Sequence, residues 1–214
     1  IIFNHLFALF VFIMHKNICI NDNTKVPSLY FSYERTNHII YIQKALLYNF
    51  EKYLLLYLYM MIYLLIIFLA FIYGNIIEWI LHRYILHGLG KNKKSLFNFH
   101  WHSHHKLCRK NNFYDSTYEN SSNTIAFKEK LSLCLLVATH IPVYFISPTF
   151  FITLALYAVY YYRTHKRMHL DTQWGRKHFS WHYDHHMGRD QDKNWGVTHQ
   201  WVDRLMGTRK TWKD

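Results

Sequence analysis

Residues 54–73 read LLLYLYMMIYLLIIFLAFIY, twenty consecutive positions without a charge. As a helix this run rises about 30 Å, the thickness of a bilayer's hydrocarbon core. A core helix of a soluble protein carries a polar stripe, whereas the only polar atoms here are tyrosine hydroxyls. The segment is therefore expected to be one long spanning helix of an integral membrane protein.

A second uncharged run, 131–162, holds Pro142 and Pro148. As one helix it would measure about 48 Å, too long for the hydrocarbon layer, and each proline removes a helix hydrogen bond. A hairpin fits better, with arms 131–144 and 149–162 turning near Ser147 and Pro148. Arms of about 21 Å are short for upright crossings, so the hairpin is expected to dip into the bilayer. Ahead of the first span, 1–14 reads as a membrane-dipping segment or a fragment of a longer frame, 17–37 as a polar linker and 39–50 as a lipid-surface helix. The expected division is thus an amino-terminal segment and linker over 1–50, followed by one membrane-embedded domain over 51–214.

Charge gives an independent handle on topology. Residues 83–110 carry seven Lys or Arg and no acid, and 163–177 carry five against the single Asp171. Basic loops beside spans stay cytoplasmic, which places both stretches on one face with an even number of crossings between them. Nucleic-acid binding is not expected, because the basic residues flank apolar spans and no RNA or DNA motif is present. Cys19, Cys108 and Cys134 form no CxxC pair, so neither a disulfide framework nor a thiolate zinc site is indicated.

The chemistry lies in the histidines. Twelve of the 17 fall within 82–105 and 165–186, the same two basic stretches. His82 and His87 are five apart, about 140° on an α-helix, so they reach different metals unless the helix ends or distorts near Gly88. Glu78, one turn before His82, is either an acceptor for that imidazole's N–H or a charge at the membrane interface. In FHWHSHH, His100 and His104 share a helical face, His105 lies 100° round and His102 points away. His165 and His169 are again four apart, and His182 meets both His185 and His186 at offsets of three and four. Asp184, inside that last box, is a second candidate acceptor behind the ligands. Ten imidazoles exceed the needs of one four-coordinate ion, so two metals are the economical reading, with Fe, Zn, Cu or Ni all compatible. His5, His15, His38, His140 and His199, isolated in the chain, read as ordinary histidines.

The succession HRYILH, HWHSHH, HKRMH and WHYDHHMG, closed by NWGVTHQWVDRLMGT, resembles the fatty acid hydroxylase/sterol desaturase superfamily of integral membrane non-haem di-iron enzymes. The resemblance implies an all-α fold whose His-rich helical metal domain sits on the cytoplasmic face. It also implies two Fe2+ ions and O2 as co-substrate for hydroxylation or desaturation of a lipid. The implied ligands are His82, His87, His104, His105, His165, His169, His182, His185 and His186. The second box departs from the usual HxxHH, and helix geometry favours His100 over His102 as its further member. No haem, dinucleotide or Cys-cluster motif is present, so electrons must come from another protein, a cytochrome b5 or a ferredoxin by family expectation. The implied location is the endoplasmic reticulum in a eukaryote or the inner membrane in a bacterium. Trp79, Trp101 and Trp181 are expected to set the depth at the interface. The rival readings are a zinc-dependent membrane hydrolase and a metal-binding membrane protein using the same histidines. A transporter would place its ligands near the bilayer midplane instead.

Overall fold

A computed structural model of the chain describes residues 28–120 and 124–212, with side chains from residue 38 onward. Among the described residues every regular element is helical, as expected. The chain divides into two compact units, Ile1–Tyr57 and Leu58–Asp214. Helix α1 runs over Ser28–Ile80. The expected membrane-dipping segment 1–14 lies outside the described residues, as does 17–27 of the expected linker. From Ser28 that linker is already helix, and the lipid-surface segment 39–50 is continuous with the span. The stretch His38–Leu89 is long and apolar enough to cross a membrane, and only 6% of its most apolar window is buried by the protein itself. Leu56, Leu65 and Phe68 stand more than half exposed along it, and so broad an apolar surface calls for a non-aqueous neighbour.

At Leu81 the winding changes. Leu81–Leu89 is a π-helix, as is His100–His105, which leads into α2, Lys106–Lys110. After a 3-10 turn at Ser116–Tyr118 come α3 (Thr124–Thr139), α4 (Ile141–Ile146) and α5 (Pro148–Leu170). The helix breaks at Ser147, whose hydroxyl accepts the Phe150 N–H while Pro148 opens α5, the use of proline that a helix start permits. The second proline acts at His140, between α3 and α4. There the ring donates through Nδ1 to the Leu136 carbonyl and receives the Tyr73 hydroxyl at Nε2. α5 continues past the expected arm 149–162 into the basic stretch, so one helix carries both apolar residues and His165 and His169. Short helices α6 (Thr172–His178), α7 (Ser180–Met187) and α8 (Trp201–Leu205) complete the unit.

Two further contacts hold the end of α1 within the second unit. A Cβ on Gly74 would come within 2.7 Å of the Tyr157 ring, so glycine lets α5 approach closely enough for the Tyr157 hydroxyl to reach Glu78, 2.6 Å away. The second is Asp203. This fully buried carboxylate accepts from Trp79 Nε1 (3.0 Å), Trp195 N (2.9 Å), Gly196 N (2.7 Å) and Thr208 Oγ1 (2.6 Å). Trp79, Trp195 and Val202 pack beside it. Trp79 is therefore a core residue at 3% exposure and not the interfacial anchor its type suggested. Truncating Asp203 would leave these buried donors without an acceptor, each costing about 1–3 kcal/mol. Asp203→Ala is expected to destabilise the protein by at least about 3 kcal/mol. Thermal unfolding in detergent within about 1 kcal/mol of wild type would contradict this account.

Candidate metal centre

The π-helical turns decide which histidines meet. The wider winding of an i→i+5 ladder brings residues five apart closer in azimuth than the 140° of an α-helix. His82 and His87 consequently point the same way, as do His100 and His105, in place of the α-helical pairing of His100 with His104. These four join His185 in one group of five ring nitrogens lying within 4.8 Å of one another. His104, His165, His169 and His186 form a second such group. Adjacent histidines are thus divided between the groups, His104 from His105 and His185 from His186, which brings the groups side by side; the His105 and His186 rings stack at 4.1 Å. His182 borders the second group, its Nε2 3.2 Å from that of His169. His102 stays outside with its ring on the Lys91 carbonyl. All ten expected ligands are buried.

Their hydrogen bonds define their chemistry. A backbone carbonyl only accepts, so an imidazole bonded to one must carry its hydrogen on that nitrogen. His82 donates Nδ1–H to the Trp195 carbonyl (2.6 Å), His185 to that of Lys193 (2.6 Å) and His169 to that of Phe113 (2.8 Å). In the neutral ring, Nε2 is left as a bare lone pair. Yet Nε2 of His185 lies 3.2 Å from those of both His87 and His105, and Nε2 of His82 lies 3.0 Å from that of His100. In the second group, Nε2 of both His104 and His186 is buried without a hydrogen-bond partner. A bare Nε2 so placed needs a neighbouring ring's N–H or a shared cation opposite it. Around one ion with metal–nitrogen bonds of about 2.1 Å, neighbouring nitrogens lie about 3.0–3.4 Å apart, so both groups fit a metal.

Carboxylates support the second group. His104 Nδ1 meets Asp115 Oδ2 at 2.6 Å and His165 Nδ1 meets Glu129 Oε1 at 2.7 Å. Burial alone would raise the Asp115 carboxyl, but bonds from His104 and Thr117 outweigh it and hold it below the ordinary value. Glu129 is held down in the same way, chiefly by His165. Such partners orient a ligating ring and raise its basicity. Neither was visible in the sequence, where both acids lie outside the histidine boxes. Asn112 and Phe113 have φ of 52° and 74°, a left-handed conformation costing of order 1–3 kcal/mol per non-glycine residue. It turns the Phe113 carbonyl onto His169, a placement that no residue type announces.

The two expected acceptors act differently. Glu78 does not take the His82 N–H. Its oxygens accept from the backbone of Val197 and Thr198 and from the hydroxyls of Thr198 and Tyr157. It thereby fixes the loop whose Trp195 carbonyl holds His82. Asp184 pairs with Arg209 at 3.1 Å. Asn194, at φ 58°, binds Lys210 and Arg209 through its side chain and so ties the closing segment to the same loop. Trp181 donates its Nε1–H to the Val197 carbonyl, and Trp101 lies against His87 and His105.

A cavity of about 390 Å³ reaches this centre. Its walls are mostly apolar, including Ile77, Leu81, Leu136 and Leu154, while His82 and His100 of the first group border it together with Glu129. The chain belongs to the fatty acid hydroxylase family, which it matches over residues 67–208. No curated protein and no solved structure matches it. Family membership implies an oxidoreductase acting on lipid by hydroxylation or desaturation.

Burial lowers the basicity of His100, His104, His105, His169, His182, His185 and His186 below the ordinary imidazole value of 6.5, and the proximity of other imidazoles lowers it further. The folded chain therefore binds fewer protons than the unfolded chain below that pH, and acid favours unfolding. Metal-stripped protein is expected to lose thermal stability steadily as pH falls from about 6.5 to about 5 and to be level above. A midpoint that stays constant or rises on acidification would contradict the assignment of neutral rings.

Proposed function

We propose that this protein is a membrane-bound, O2-dependent lipid hydroxylase or desaturase holding two iron ions in the paired histidine groups, with electrons supplied by a separate protein. The observation that carries this reading is the meeting of an apolar cavity with the first group at His82 and His100. His82, His87, His100, His105 and His185 would hold one ion; His104, His165, His169 and His186 the other, with His182 beside them. Such an ion pair, when bound, supplies the O2 chemistry needed to attack an unactivated C–H bond.

The chain's own residues set the conditions for that chemistry. The leucine and isoleucine walls accept an alkyl chain or ring and exclude water, so the lipid carbon to be oxidised would rest against His82 and His100. Carbonyls of Trp195, Lys193 and Phe113 keep the hydrogens of their imidazoles on Nδ1 and the lone pairs inward. Glu129 holds His165 and receives the Tyr118 hydroxyl at 2.5 Å, a hydrogen-bonded acid at the cavity edge. Imidazole also survives oxidising conditions that consume thiolate.

In this reading α1 spans the bilayer, and the turn at Ser147 dips into it with Phe145 (81% exposed) and Ile146 (85% exposed) at its tip. The lysine and arginine excess keeps the centre on the cytoplasmic face, at the endoplasmic reticulum or the bacterial inner membrane.

Lipids from cells expressing the wild type are expected to include species shifted by +16 or −2 mass units that are absent when O2 is withheld. His185→Ala should lower their yield by about 100-fold and reduce bound iron from two ions per chain. Turnover supported by zinc without O2 would replace this reading with the hydrolase.

A further inference from the structure

The first histidine group is approached from two sides. The cavity meets it at His82 and His100, whereas Trp101, which is not part of the cavity wall, covers His87 and His105. Its ring centroid lies 4.9 Å from that of His87 and 5.5 Å from that of His105, nearly parallel to the latter at 28°. Of the two tryptophans in ring contact with this group, Trp195 is buried, while Trp101 is half-buried and reaches the surface. The ammonium of Lys91 sits 4.8 Å above the Trp101 ring. That lysine also pairs with Asp192, whose carboxylate is 3.5 Å from His87 Nδ1.

Lys91 opens a short loop that also carries Lys93 and Lys94, and Lys106 follows Trp101 by five residues at the end of its π-turn. All four lysines are exposed. Among the described residues, the ammonium groups of Lys93, Lys94 and Lys106 have no carboxylate partner. Leu96, 85% exposed, projects from the same loop. Lys91 on the Trp101 ring, with further exposed lysines close by in the chain and an exposed leucine among them, gives this part of the surface the charge that complements an acidic protein.

We propose that this face docks an acidic one-electron carrier protein, and that Trp101 is the contact through which electrons pass to the imidazoles of His87 and His105. The inference rests on the oxygenase reading. In each hydroxylation two reduced carriers are oxidised by one electron each. With two protons, these electrons reduce one atom of O2 to water while the other atom enters the lipid C–H bond; Trp101 is unchanged at the end. Electrons and substrate thus reach different imidazoles of one group. An anionic bilayer surface would also attract the lysines, but it delivers no electrons and gives Trp101 no reason to bridge the surface to two buried rings.

The test uses the full-length protein in detergent and the soluble haem domain of cytochrome b5. Binding is expected to weaken at least about tenfold in Lys93→Glu/Lys94→Glu, and in the wild type to weaken as salt rises. Trp101→Leu should slow reoxidation of the pre-reduced haem domain at least tenfold beyond any change in product formation driven by dithionite, with Trp101→Phe falling between the two. Equal slowing with both reductants would make Trp101 merely structural and overturn the proposal. Charge reversal that leaves haem-domain binding intact but abolishes binding to phosphatidylserine vesicles would overturn it in favour of a membrane-surface patch. Failure of the wild type to form product with dithionite and O2 would instead defeat the oxygenase reading, and the binding series would still decide the docking face.

Discussion

An imidazole that gives its Nδ1 hydrogen to a backbone carbonyl offers only a lone pair at Nε2, and at His82 and His185 that lone pair faces the Nε2 of His100, or of His87 and His105, 3.0–3.2 Å away, a spacing that a shared cation satisfies. The architecture of residues 58–214 serves to hold that arrangement. Asp203 and Glu78 secure the loop that presents the Lys193 and Trp195 carbonyls, and Gly74 allows Tyr157 to close over Glu78. The strained backbone at Asn112 and Phe113 presents a third carbonyl to His169. Polar groups far apart in the chain are thus spent on the direction of a few ring nitrogens.

The two π-helical turns are the means by which nearby histidines are sorted. An α-helix would have sent His82 and His87 apart and paired His100 with His104. The wider winding aligns each pair five residues apart, and it frees His104 to join the partners carried by α5 and α7. Adjacent residues then project to neighbouring groups, so the doublets His104-His105 and His185-His186 bridge the centre. π-Turns are rare in helices at large and recur at functional sites, and here they set the composition of both groups.

Apolar surface is distributed with the same economy. Along α1 the side chains face outward with little protein over them, whereas at its end Trp79 turns into the core and the helix meets the cavity that leads to His82. α5 likewise begins among apolar residues and ends with His165 and His169. A lipid held between these helices would lie against both hydrocarbon walls and imidazole without crossing water.

The sequence by itself determined the helical class, the long apolar segment and the break in the second apolar run at Ser147 and Pro148, and it singled out the histidines as the chemical feature of the chain, because these follow from hydrophobic run length, proline's missing N–H and residue chemistry. It could not determine the pairing of those histidines, since an α-helical period was the natural assumption and the change of winding at Leu81 and His100 has no residue signature. It named Glu78 and Asp184 as acceptors by proximity in the chain, while the acceptors of the ring hydrogens proved to be Asp115, Glu129 and three backbone carbonyls. It likewise assigned Trp79 to a membrane interface, whereas that ring is buried in the core. Only the tertiary structure decided these matters, because a carbonyl's direction and an acid's nearest imidazole depend on how distant segments pack, and residue type carries no record of either.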